Sequence, residues 1–376
     1  MFLFFPPVGT VAELAGAPKG AAAKLKRLVG LASAPNGDFF ACTRPAKELE
    51  IDPRISDKTI KKALRSRRHT LGTSKKLSKL ESPIEQCFGI KIFDITVPDE
   101  VLRTGLCWWE WRELADLIDN GRAADFLPRT THYFRKLALW EKKTAEEIES
   151  CKPDYEQGLV RLIDNQFVKM LCPEISPKTI LRDVPPLRTL EDVVCFRDRS
   201  RLFKEWLIHC RVSLLMDLLA HADIEYCKMH ILPKGSTTQE LRSTSPVVGI
   251  LPTTRGNKLV LPISLLFERW FELSKLPSWR QFAKNIPGNT ELNEKSKILR
   301  RWRNGSHIPS EYSIQGFLAN WLKREDERDL GLLRFRIARF LTKLYQSLQK
   351  ALPDTDDEQR VQMFWSFHRH RKRHLR

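Results

Sequence analysis

Apolar side chains recur at three- and four-residue spacing through most of the chain beyond residue 105, the pattern of helices that bury one face. This spacing predicts helices in CWWEWRELADLIDNG, which ends on the C-capping pair Asn120-Gly121, and in residues 131–150 and 154–171. The longest core-like pattern is FRDRSRLFKEWLIHCRVSLLMDLLAHA, residues 196–222. Between them, residues 171–189 are rich in proline and read as a connector. The pattern then changes. SPVVGILPTTRGNKLVLPI has two β-branched runs flanking Arg255-Gly256-Asn257, which predicts a small hairpin near 247–262. Helical periodicity resumes in LLFERWFEL (265–273), GFLANWLKRE and residues 332–352. Nearer the N-terminus, residues 1–52 hold one helical piece (21–32) between Pro- and Gly-bearing loops, and Ile90, Ile92 and Ile95 alternate as in a short strand.

Residues 278–310 have the most specific pattern. Phe282, Ala283 and Ile286 form one apolar face, Pro287-Gly288 breaks the chain, and a second helical run ends at Asn304-Gly305. Leu299 and Trp302 are three apart and share the core side of that run, leaving Lys297, Arg300, Arg301 and Arg303 on other faces. Gly305 suits a left-handed C-cap, and Pro309 cannot continue the helix.

On QFAKNI (281–286), LRRWRNG (299–305) and Gly305-x-x-x-Pro309-Ser310, this stretch resembles the helix-turn-helix of the Cro/C1-repressor type. The resemblance covers under a tenth of the chain, and the segment between Ile286 and Leu299 is longer than the family's, so PGNTELNEK makes a longer turn or an added turn of helix. It implies a first helix braced on the DNA backbone and a second one in the major groove. By position it places Lys295, Ser296 and Lys297 toward the groove with Arg300 nearby, and Arg301 and Arg303 on phosphates. The competing reading is a helical hairpin whose cationic face is only solvated.

Charge supports a polyanionic partner: 64 Lys and Arg against 46 Asp and Glu give a net charge of +18. It is concentrated in residues 53–80, where ten Lys or Arg stand against the single acid Asp57, and Lys61, Lys62, Arg65, Arg67 and Arg68 form a second candidate phosphate-contacting surface. The last eleven residues carry five Arg or Lys and three His with no acid, and read either as an electrostatic arm or as a plain basic end. Trp108, Trp109 and Trp111 read as packing residues because Glu110 and Glu113 beside them repel phosphate. Trp270, Trp279, Trp302 and Trp321 read as an aromatic core around the motif.

Candidate chemistry adds little. Eight cysteines occur without a Cys-x-x-Cys pair, which points to thiols, several of them buried. His209, Cys210, His221, Cys227 and His230 match no zinc spacing. Ser82-Pro83-Ile84-Glu85 is reminiscent of a nuclease glutamate of the PD-(D/E)xK type, but Asp94 lacks an acidic-x-Lys partner and a capping box explains the same residues. Pro6-Pro7 interrupts the apolar N-terminus, and no window has the length of a membrane span.

The sequence therefore predicts a mainly α, multi-lobed cytoplasmic protein with a small hairpin and an embedded helix-turn-helix. Its parts are a basic segment (1–80), a helical body (81–235) open to protein partners, a helical domain with the motif (236–365) and a basic tail (366–376). The function expected is non-enzymatic and cofactor-free DNA binding, as a regulator or a replication or mobile-element factor. The alternatives are an RNA-binding subunit of a ribonucleoprotein or defence assembly and, behind it, a metal-dependent nuclease.

Overall fold

The structure, a computed structural model, describes Phe4 and residues 127–151, 154–173, 177–180, 200–233, 237–256 and 258–376. The described chain is mainly α-helical with one antiparallel hairpin. In chain order come α1 (Pro128–Ser150), α2 (Tyr155–Asp164), α3 (Gln166–Leu171), the single turn α4 (Pro177–Ile180) and α5 (Arg201–Tyr226). A π-helical turn, Cys227–Ile231, extends α5. Then follow α6 (Thr238–Ser243), β1 (Thr253–Arg255), β2 (Lys258–Val260), α7 (Pro262–Ser274), α8 (Trp279–Phe282), α9 (Leu292–Arg303), α10 (Glu311–Trp321), α11 (Glu325–Ala351) and α12 (Asp357–His374). None of the described helices is long and apolar enough to cross a membrane.

The chain divides into two compact units. The first contains α1 to α5 and the end of α12 from Ser366; the second runs from Leu232 to Trp365. In the first unit, α5 is buried on nearly every side, with Phe203, Trp206, Leu214 and Met216 in the core. Phe4 is fully buried against Trp140 and Trp206, at ring separations of 5.6 and 6.2 Å. The 154–171 pattern is broken into α2 and α3 because Asn165 leaves helical geometry and its side chain accepts from the Phe167 N–H at 2.9 Å. Cys151, Cys172, Cys210 and Cys227 are all buried.

In the second unit, the hairpin pairs Thr253 with Val260 and Arg255 with Lys258. Its core is built from α7 (Ile263, Leu266, Phe267, Trp270), α8 and its 3-10 extension (Phe282, Ala283), α9 (Leu299, Trp302), α10 (Ile314, Phe317, Leu318) and α11 (Phe335, Ala338). The α7 residues follow the i, i+3, i+4, i+7 stripe that one buried face demands. Rings of Trp270, Trp302 and Trp321 surround Phe317, while Trp279 stacks on Phe271 at 4.1 Å. At the start of α12, Arg360 donates to the Leu352 and Pro353 carbonyls and pairs with Asp357, closing the turn after α11.

The charge run at 366–376 is not a separate tail. Residues 366–374 complete α12, with His370 and Arg371 buried. The reason lies in acidic partners on α5, described below.

Candidate nucleic-acid interface

The motif region builds from short-range rules. Ser278 caps α8 by accepting the Gln281 N–H, and a 3-10 turn, Ala283–Asn285, carries the helix on to Ile286. Pro287 and Gly288 (φ +95°) then reverse the chain, and α9 begins at Leu292. Asn320 Nδ2 donates to the Asn285 carbonyl at 3.0 Å, which fixes the end of the first helix against α10. At the far end, Gly305 has φ +68°, the left-handed geometry that favours glycine, and a Cβ there would lie 2.7 Å from Leu261 Cδ1 and displace that side chain.

Phe282, Ala283, Ile286, Leu299 and Trp302 are all buried, on the faces the sequence assigns to them. Opposite the α9 core face, Asn293, Lys297, Arg300 and Asn304 are exposed at helical spacing, with Arg301 beside them. Because α9 starts at Leu292, Lys295, Ser296 and Lys297 do not open it; Asn293 and Glu294 do. Lys295 is half-buried, and the half-buried Ser296 donates its hydroxyl to the Leu292 carbonyl at 2.8 Å. Lys297 Nζ donates to Glu294 Oε1 at 2.6 Å. Arg303 lies over the Trp279 ring, 4.8 Å from its centre, which ties α9 to α8 by a cation–π contact. The cations in the last turn of α9 also meet the negative end of the helix dipole, a local gain independent of any ligand.

Sequence reasoning missed Arg280 and Asn293. Arg280 on α8 is exposed and its Nη2 donates to Asn293 Oδ1 at 3.1 Å. Counting back from Arg300 in steps of three and four gives Lys297 and Asn293, so the signal was in the spacing. Lys284, in the 3-10 turn that follows α8, adds another exposed cation.

A second polar constellation lies in the first unit. Ser213, Asp217, His221 and Glu225 recur every four residues along α5. Asp217 accepts from Tyr133 (2.7 Å), from Arg373 (2.5 Å) and from His374 (2.7 Å). Burial raises the Asp217 carboxyl, but the His374 bond and the charges of His370 and Arg373 outweigh it and hold it below the usual carboxylate range. Arg371 pairs with the buried Asp223 at 2.7 Å. Glu225 accepts the Arg129 and Thr130 N–H groups and the Thr130 hydroxyl, so it caps α1 from 95 residues away. Since the Thr130 proton goes to Glu225, His221 must donate its Nδ1–H to Thr130 Oγ1, at 3.0 Å.

Ser213 Oγ, His370 Nε2 and Asp217 follow the order of a hydrolase triad, with Ser213 2.8 Å from His370. All three are buried, which leaves Ser213 no access to a substrate carbonyl. Burial pushes the His370 and His221 imidazoles down to about 4, so both are neutral at pH 7. The network is an internal fastening between α5, α1 and the end of α12. Among the described residues, no group of three or more His, Cys, Asp or Glu has the arrangement to hold a metal ion.

No family model, curated protein or solved structure matches the chain. The site residues rest on geometry alone. Lys61, Lys62, Arg65, Arg67 and Arg68, the Glu85 and Asp94 pair and Trp108, Trp109 and Trp111 lie outside the described residues.

Proposed function

We propose that this chain binds duplex DNA by presenting α9 to the major groove, with α8 as the bracing helix of a helix-turn-helix of the Cro/C1-repressor type. One observation carries the reading: Leu299 and Trp302 commit one face of α9 to the core while Asn293, Lys297, Arg300 and Arg301 remain exposed on the other. A helix held in this way offers donors in the fork geometry that matches base edges and phosphates. The net charge of +18 supplies the sequence-independent attraction such a protein needs. The role we propose is that of a regulator or a replication or mobile-element factor, acting without a cofactor.

The test is a titration of the full chain against duplex DNA, single-stranded DNA and structured RNA at several salt concentrations. Duplex DNA is expected to bind tightest, with affinity falling steeply as salt rises. The Arg300→Ala/Arg301→Ala variant is expected to lose affinity and to lower the salt slope by roughly one per phosphate contact removed. Preference for structured RNA, unaffected by these substitutions, would reject the reading.

A further inference from the structure

Resting on that reading, we propose that Asn293 is a base-reading residue of α9, that the base it reads is adenine, and that Arg280 positions it. Asn293 is the second residue of α9 and is exposed, in the N-terminal part of the helix where a groove-bound helix meets base edges. Its orientation is set by chemistry. A guanidinium has donors only, so the Asn293 amide oxygen faces Arg280 Nη2, and the NH2 group is turned to the other side. The oxygen keeps a second lone pair. Asn293 therefore offers one acceptor and adjacent donors in a fixed plane.

That pair fits one purine edge and not the other. Adenine presents N7 as acceptor beside the N6 amino donor, which an asparagine amide meets with two bonds. Guanine presents two acceptors, N7 and O6, and sets its O6 against the Asn293 oxygen. The neighbouring charges do not compete for this role. Lys297, one turn further along α9, is held by an exposed contact to Glu294, and Arg303 lies over Trp279. Ser296, placed by sequence among the groove residues, uses its hydroxyl within the helix. Arg280 touches no base in this assignment; it holds the amide in the reading plane.

The experiment is selection of binding sites from a randomised duplex pool with the full chain and with Asn293→Ala, Asn293→Asp, Arg280→Ala and Arg280→Lys. Both residues are exposed, and each variant is checked for unchanged thermal unfolding. The wild-type pool is expected to fix an adenine at one position of the site. Asn293→Ala should keep the rest of the sequence and lose that adenine, removing on the order of tenfold discrimination there. Asn293→Asp, which only accepts, should move the preference to cytosine, whose N4 amino group donates. Arg280→Ala should blur the same position and no other, and Arg280→Lys should restore it in part. A selected sequence that changes with Lys297→Ala or Arg300→Ala but not with either Asn293 variant would overturn this assignment and leave α9 as the recognition helix. A wild-type pool enriched in nothing would overturn both.

Discussion

Two cationic stretches of similar composition have opposite fates in this molecule. ILRRWRNG (298–305) turns Arg300 and Arg301 to solvent, whereas SFHRHRKRHLR (366–376) puts His370 and Arg371 inside and binds Arg373 and His374 to Asp217. The difference lies in the facing helices. The elements around α9 present aromatic rings, which take Leu299 and Trp302, and among the described residues they bring no acid to Arg300 and Arg301. Helix α5 presents Asp217 and Asp223 within a core-forming face, and these buried carboxylates are met by the cations of the run. A basic run is thus available for a ligand only where its own fold carries no acids to meet it.

The largest way to break this contrast is Asp217→Ala. It strands Arg373, His374 and Tyr133 around a vacated site and is expected to cost the first unit about 3–5 kcal/mol, read from the urea midpoint. Arg300→Ala/Arg301→Ala should do the reverse: a shift in stability within about 0.5 kcal/mol, but a loss of duplex affinity on the order of ten- to a hundredfold. If both pairs of measurements moved together, the distinction between spent and available cations would fail.

Acidity sharpens the contrast further. Burial holds the His370 imidazole at about 4 when folded, against 6.5 when exposed, so below pH 6.5 the unfolded chain takes up a proton that the folded chain refuses. Stability is therefore full above pH 6.5 and declines toward pH 4, by about 1–2 kcal/mol at pH 5 for this one group. Urea midpoints at pH 7 and pH 5 should show the decline, and His370→Gln should remove its share of it, leaving that of His221, whose imidazole burial likewise pushes down to about 4. The smallest effect is Lys275→Gly at the end of α7. Lys275 is the one non-glycine residue among those described with positive φ, at 53°. Glycine there is expected to gain roughly 0.5 kcal/mol in thermal unfolding without changing DNA affinity.

The long helices α1, α5 and α11, the hairpin and the two faces of α9 were legible in the sequence because each follows from a period of apolar residues or a turn pair, whereas α12, whose last turns read as a basic tail, was not. Leu299 and Trp302 needed no more than their spacing. The start of α9 was not legible, since PGNTELNEK has the composition of a loop and Glu291 gives no side-chain cap to mark the boundary. Asn293 was lost with it. The fastening on α5 was half visible: four polar residues at intervals of four in a largely buried helix are a stripe, but the pattern does not say what meets them. Its partners, Arg371 and Arg373, lie about 150 positions away and carry only the signal of their charge.

That separation has a consequence for the order in which the protein is made. Asp217 precedes Arg373 by 156 residues and Asp223 precedes Arg371 by 148. At about 5–20 residues per second, α5 waits on the order of ten seconds between its own synthesis and the arrival of the groups that neutralise it. During that interval Asp217 and Asp223 have yet to meet the arginines that pair with them in the folded chain. The first unit, although most of it precedes the second in the chain, is completed only after the second has been made, and its completion reports that residues 371–373 have been made.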